Sequence, residues 1–486
     1  MKYIRSILLL AGLALAVFTQ STPNVKITWI GQSGFLLQTD NGLSVISDPA
    51  PASFGFLNPT TPVNAVTVSH THGDHSGTAI AQGTPTIVDG RNATEMREET
   101  VAGTTFKIIP GFHDATVNST SRNSLITWTQ GGIKFMQGGD YGQTTLTDAQ
   151  RAALGDIDVA FIAAANPTFT TAVAKNFVDQ LGARVTILCH YRAPLGGAAT
   201  LATLKDFGTL YSRLVYKFSD VTINKNNLPT EREVWIMQPN ANAAAVNAGS
   251  FAGGQPMAPL SLSAVFGTFT AASTANAQSF PLPTTLGNVE VLVGGRAAPL
   301  LFVSPLQINF QVSNKLDVAA QSLVEIKVAG ATVGRTQLTV LPSAPGIFVA
   351  TNLNYQPIAA AAPIKRGEAF IIWATGHGEL SATLEDGQPA SGNLITTKTN
   401  PRVTIGGVEA EVLFSGLTPG LAGVWQINVR VPNNAPLGAN VPLVVEQGFA
   451  SNAIPLVVNA AALGEEQISR SWNPFRNLFG WVATFI

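Results

Sequence analysis

Four residues able to bind a metal ion fall within six positions of the segment SHTHGDHSG at 69–77: His70, His72, Asp74 and His75. His70 and His72 stand two apart, so an extended backbone sends both imidazoles out from the same face. Gly73 lets the chain turn and present Asp74 and His75 as a second pair beside the first. Imidazole nitrogen and carboxylate oxygen suit zinc, and also iron or manganese. Further donors follow apolar, strand-like runs: His113 in KIIPGFHD, Asp140 in IKFMQGGDY and His190 in VTILCHY. Open α/β sheets gather ligand-binding groups at the carboxyl ends of their strands. One histidine beside a strand reads as a hydrogen-bonded core residue. Five in this arrangement, with a single histidine elsewhere in the chain, read as a metal centre.

The neighbours of these donors carry less information. Tyr141, Tyr191 and Arg192 directly follow candidate ligands, and alternation along a strand points such neighbours away from the metals. Facing inward, a tyrosine would donate to a developing oxyanion and Arg192 would bind an anionic group. The same alternation makes Cys189 a buried small hydrophobe opposite His190. His377, in WATGHGEL, reads as a loop residue remote from the centre.

The elements that must hold these donors alternate between strand and helix over residues 24–238. Val66 to Ser69 continues a short apolar strand into the histidine segment. Thr147 and Gln150 form a capping box that opens a short helix, TDAQRAAL. An apolar strand follows at Val159–Ala163. The amphipathic TAVAKNFVDQLG is a helix stopped by Gly182, and a strand follows at Val185–Cys189. Such alternation indicates a layered α/β domain.

The 486 residues exceed one domain. Residues 239–257 are small, polar and uncharged, and read as a linker. An internal repeat follows it: VLVGGRAAPLLF at 291–302 matches VTIGGVEAEVLF at 403–414, and SPLQINFQVSN at 304–314 matches GVWQINVRVPN at 423–433. Short β-branched runs separated by Gly, Pro and Asn predict two Ig-like β-sandwich modules, at 258–342 and 343–460. The tail 461–486 carries Trp472, Phe475, Phe479, Trp481 and Phe485. It lacks the basic face of a membrane-surface helix, which favours docking on its own protein. At the other end, residues 1–21 join Lys2 and Arg5 to a 12-residue apolar run, Ile7–Phe18. That run is too short to span a bilayer and reads as a signal peptide, so a secreted or periplasmic location is expected.

Charge narrows the partners. Lys+Arg is 28 against Asp+Glu 29, a net charge of −1, with no basic excess to attract nucleic acid. The single cysteine excludes an intrachain disulfide and a thiolate zinc cage.

HTHGDH, followed by His113, Asp140 and His190, resembles the metallo-β-lactamase superfamily. The opening VKITWIGQSGFLLQTDNGLSVISDP and the late ILCHY are similar to the branch of L-ascorbate-6-phosphate lactonase-like hydrolases. Gln32 is a departure, standing where relatives in that branch often carry histidine. The resemblance covers residues 24–238 and implies a four-layer αββα sandwich. It also implies two divalent metal ions, zinc first and manganese or iron as alternatives. His70, His72 and His113 would hold one ion, and Asp74, His75 and His190 the other, with Asp140 bridging. Asp74 is the candidate catalytic residue, orienting the nucleophile or accepting its proton. Residues 258–460 resemble an uncharacterised C-terminal domain that recurs on secreted acidobacterial proteins.

The expected function is hydrolysis of an ester, lactone, amide or phosphoester in a small-molecule substrate. The C-terminal modules are expected to contact the cell surface or a polysaccharide. The competing expectation is a metal-binding surface or scaffold protein with little or no turnover.

Overall fold

The computed structural model describes residues 22–40, 42–114, 121–196 and 200–461. Residues 1–21, expected to be a signal peptide, and the aromatic residues of the tail lie outside them.

Fourteen strands and three helices build the first half of the chain. The opening strands are β1 (Val25–Gly31), β2 (Gly34–Thr39), β3 (Ser44–Ser47), β4 (Ala65–Val68) and β5 (Thr86–Asp89). Next come β6 (Arg97–Val101), β7 (Thr104–Phe112), β8 (Arg122–Gln130) and β9 (Ile133–Gln137). Helices α1 (Asp148–Leu154), α2 (Thr171–Leu181) and α3 (Leu204–Phe207) then alternate with β10 (Val159–Ala163) and β11 (Val185–Cys189). The last strands are β12 (Val215–Lys217), β13 (Asp220–Ile223) and β14 (Glu233–Met237).

One sheet runs β13-β1-β2-β3-β4-β5 and the other β12-β14-β11-β10-β9-β8-β7-β6. They bury one core between them. Phe35 of the first sheet stacks on Phe161 of the second at 4.2 Å between ring centroids, and Trp128, Phe135 and Phe106 extend the aromatic layer. Parallel pairing of β9, β10, β11 and β14 requires crossovers, and α1, α2 and α3 supply them. The capping box appears as expected, with Gln150 N donating to Thr147 Oγ1 and Thr147 N to Gln150 Oε1. Gly182 ends α2 in the left-handed conformation.

The fourth layer is thin. On the outer face of the first sheet, Ile30, Leu36, Ile46, Val66 and Val68 form a cluster closed by Ile80 of a 3-10 turn, Thr78–Ile80. The crossovers on that side, 48–64 and 69–85, carry 3-10 turns and no α-helix among the described residues.

The stretch expected to be a linker is structured. Ala243–Asn247 is a strand paired with Leu262–Gly267, and Ala245 and Met257 are fully buried. Its small uncharged residues suggested flexibility, yet alanine side chains are what a tightly packed sheet admits here. The strand completes a repeat that covers whole units. In the first unit Ala243–Asn247, Leu262–Gly267, Gln307–Gln311 and Leu300–Val303 pair in that order. In the second unit Gly346–Thr351, Ala369–Thr375, Trp425–Arg430 and Val408–Leu417 do the same. Each unit adds three further strands of more than two residues: Val289–Val293, Ala320–Val328 and Ala331–Val340 in the first, and Arg402–Ile405, Gly438–Glu446 and Ile454–Asn459 in the second. The matched Gly-Gly pairs, 294–295 and 406–407, sit at positive φ in equivalent hairpin turns. This β-rich half packs directly on the first: Phe449 lies 6.4 Å from Tyr216 and Leu341 joins the same core. No helix among the described residues is long and apolar enough to cross a membrane.

Candidate metal centre

Each donor follows the carboxyl end of a strand. Asp48 follows β3, His70 follows β4, His113 follows β7, Asp140 follows β9 and His190 follows β11. His72 precedes a 3-10 turn, Gly73–His75, that carries Asp74 and His75 back toward the sheet ends. The seven residues expected from sequence therefore converge at one edge of the sandwich.

They fall into two groups. The imidazoles of His70, His72 and His113 form a triangle with centroid separations of 4.7, 4.6 and 5.0 Å. Together with Asp140 they offer donor atoms that all lie within 4.8 Å of one another, and so do Asp74, His75 and His190. Asp140 reaches both groups. Its Oδ2 lies 3.4 Å from His113 Nε2, 3.6 Å from His70 Nε2 and 3.5 Å from His190 Nε2, and its Oδ1 is 3.3 Å from His75 Nε2.

The remaining hydrogen bonds fix which nitrogen faces the cluster. His190 Nδ1 donates to the Ala165 carbonyl at 2.9 Å, leaving Nε2 as the free lone pair. His75 Nδ1 is 3.0 Å from Asp48 Oδ2. Ser69 Oγ donates to that same carboxylate and sits 2.9 Å from His70 Nδ1. Asp48 thus sets the tautomer of His75 directly and of His70 through Ser69, as partners behind a metal ligand commonly do. His113 Nδ1 meets Asp114 Oδ1 at 3.2 Å and Thr168 Oγ1 at 3.1 Å. Asn123 Oδ1 accepts from Asp140 N at 3.0 Å, and Asn166 Nδ2 donates to the Asp140 carboxylate.

The inner atoms are left bare. His70 Nε2, His75 Nε2, His113 Nε2 and Asp140 Oδ1 are buried with no hydrogen-bond partner among the described residues. Buried polar atoms without partners are costly, and several aimed at one another fit bound cations. The donor set of imidazoles and carboxylates fits divalent zinc, manganese or iron. Electrostatics divide the imidazoles: against burial, Asp140 and Asp48 hold His75 well above the usual histidine range, and Asp140 and Asp114 raise His113. Burial, reinforced by nearby His75, drives His70 down to about 2, so it stands neutral with a lone pair available. Burial opposes ionisation of Asp140, yet His190 and His75 hold it well below the usual carboxylate range.

The tyrosines beside the donors take core positions, in line with alternation along a strand. Tyr141 is buried and its hydroxyl donates to Gln150 Oε1, while its ring stacks on Phe177. Tyr191 is buried against Trp29 and Phe207, with its hydroxyl on the Met237 carbonyl. Both tyrosines are core residues rather than oxyanion donors. Arg192 is exposed. Cys189 is buried, and burial pushes its thiol well up. His377 lies in a loop of the second repeat unit, as expected, just past the strand Ala369–Thr375, and is buried beside Trp425. Sequence reasoning missed Asp48, Ser69, Asn123 and Asn166. Asp48 had a readable signal, since SVISDP places it just past an apolar strand like the other donors. Asn123 and Asn166 touch the centre only through tertiary contacts, and Ser69, though next to His70, shows its role only through Asp48.

Residues 26–190 match the family model described as a beta-lactamase superfamily domain. No curated protein matches the chain. Among solved structures, a putative Zn-dependent hydrolase of the metallo-beta-lactamase superfamily from Thermotoga maritima is 27% identical, covering 44% of this chain and 98% of its own, with a TM-score of 0.35. A metallo-beta-lactamase fold protein from Bacillus subtilis is 14% identical over 44% of this chain and 96% of its own, with a TM-score of 0.28. A diiron beta-hydroxylase from Streptomyces venezuelae is 12% identical over 35% and 45%, with a TM-score of 0.25. With the matched segment carrying the convergent histidines and aspartates, residues 26–190 form a metallo-beta-lactamase superfamily domain joined to a largely β-rich remainder.

Proposed function

We propose that the protein is an exported dinuclear metal-dependent hydrolase of an ester, lactone, amide or phosphoester in a small-molecule substrate, close in kind to the L-ascorbate-6-phosphate lactonase-like branch. One observation carries the reading: bare Nε2 atoms from both histidine groups face a single carboxylate, Asp140, that reaches both. His70, His72 and His113 would hold one ion, Asp74, His75 and His190 a second, and Asp140 would join them. Bound divalent ions supply a water acidic enough to ionise near neutral pH and polarise the oxygen of the scissile group.

The chain's own residues do the rest. Asp74 is the carboxylate of the cluster with part of its side chain, 21%, open to solvent. It is placed to orient the attacking water and to accept its proton. Burial of His70, His75, His113, Asp140 and His190 limits competing water, and Asp48, Ser69 and Ala165 keep protons on the outer imidazole nitrogens. The two repeat units are read as Ig-like modules that present this domain at the cell surface or to a polysaccharide.

The test is direct. Purified mature protein should hold two metals per chain, hydrolyse at least one of p-nitrophenyl phosphodiesters, simple lactones or nitrocefin, and lose that activity on strong chelation. His72→Ala should lower metal content without unfolding the chain, because His72 is exposed. Less than one metal per chain, or activity that survives chelation, would end the reading. Fractionation of the producing cells tests the export.

A further inference from the structure

Gln32 sits in the turn between β1 and β2 with a φ of 52°. Glycine or asparagine is the usual occupant of such left-handed turn positions. A glutamine held there strains the backbone, and strain of this kind gathers at functional sites. The residue is fully buried. Its Nε2 donates to Asp74 Oδ2 at 2.9 Å. Its main-chain carbonyl accepts from His190 N at 3.1 Å and from Trp29 Nε1 at 3.0 Å. The turn is pinned again one residue on, where the Ser33 carbonyl accepts from Gln137 Nε2 at 3.1 Å.

This places one side chain against half of the donor cluster. Asp74 Oδ2 also lies 3.0 Å from His190 Nε2 and 3.9 Å from His75 Nε2. The Gln32 amide therefore touches the group formed by Asp74, His75 and His190, and it anchors the backbone of one member as well as the side chain of another. Its Oε1 is buried without a partner among the described residues. A turn that needed only its backbone shape would be better served by glycine, which brings no buried acceptor to leave unsatisfied.

Resting on the two-ion reading above, we propose that Gln32 is a positioning residue for the second metal position: its carboxamide fixes the rotation of Asp74 and its carbonyl fixes the approach of His190. The first group, His70, His72 and His113, does not depend on it.

The test uses two variants of the full mature chain, titrated with zinc after metal removal, in competition with a chromophoric chelator. Gln32→Leu removes the donor. Gln32→Asn keeps a carboxamide one methylene too short to reach Asp74, and asparagine suits the left-handed backbone. Both variants should bind the first equivalent as wild type does and the second about 10–100-fold more weakly. Gln32→Asn should melt at or above the wild-type temperature, which separates positioning from folding. On any substrate the wild type cleaves, kcat should fall with KM little changed. The proposal is overturned if both variants bind the second equivalent as tightly as wild type, or if both equivalents weaken alike. A wild type that takes up fewer than two equivalents overturns the two-ion reading instead, and shows itself in a different sample.

Discussion

Replacing Asp48 by asparagine tests how the donor cluster is oriented. Asp48 Oδ1 accepts from Ser69 N at 2.8 Å, while Oδ2 accepts from Ser69 Oγ and lies 3.0 Å from His75 Nδ1. A carboxylate only accepts, so His75 must carry its proton on Nδ1 and turn a bare Nε2 to the cluster. In Asp48→Asn, Oδ1 keeps its bond to Ser69 N, and the new NH2 group meets two donors. Relief requires Ser69 to turn and His75 to move its proton to Nε2, the nitrogen a metal needs. Two hydrogen bonds to a buried charged group, at about 1.5–3 kcal/mol each, are lost. The metal-free protein should therefore be less stable by about 3–6 kcal/mol, or a fall of about 6–24 °C in Tm for a domain of this size. Metal affinity should fall about 10–100-fold, which is about 1.4–2.8 kcal/mol. Thermal melts with and without chelator, beside zinc competition titrations, read the two effects separately. A variant that melts normally and binds zinc within about twofold of wild type would refute the tautomer argument.

Three further outcomes follow from local geometry. Gly139→Ala should cost more than about 2 kcal/mol in urea denaturation and empty the centre of metal, because its φ is +54° and a Cβ would stand 2.3 Å from both Asn123 Oδ1 and Ser69 Oγ. Asp386→Ala should loosen the junction between the repeat units, since Asp386 accepts from Ser313 Oγ at 2.6 Å and Asn314 N at 2.8 Å; faster amide exchange confined to residues around 313 and 386 is the expected readout. Lys205→Ala breaks an exposed pair with Asp317 at 3.7 Å and should change stability by less than about 1 kcal/mol; a larger loss would mean that the contact between the halves depends on that pair.

The seven residues that converge were legible from the sequence as candidate donors because they directly follow apolar strand patterns or share the one segment behind β4, and strand ends are where such a sheet exposes its chemistry. The capping box at Thr147, the glycine stop at Gly182 and the strands at Val159–Ala163 and Val185–Cys189 were legible for a similar reason. Their signals lie within a few residues of one another. The linker expectation failed because alanine and asparagine say nothing locally about burial. Only pairing with Leu262–Gly267 makes Ala243–Asn247 a strand.

The sequence by itself determined which side chains are candidate metal donors and that the second half is a repeat, since residue type and spacing are properties of the linear chain. Tertiary structure alone decided that Gln32 and Asp48 stand behind the candidate ligands, that Asn123 and Asn166 meet Asp140, and that Ala243–Asn247 pairs as a strand. Those facts depend on the packing of strands as distant as β1 and β11, and hydrogen bonds across that distance are set by sheet register and by burial on both faces, neither of which any short window of sequence contains.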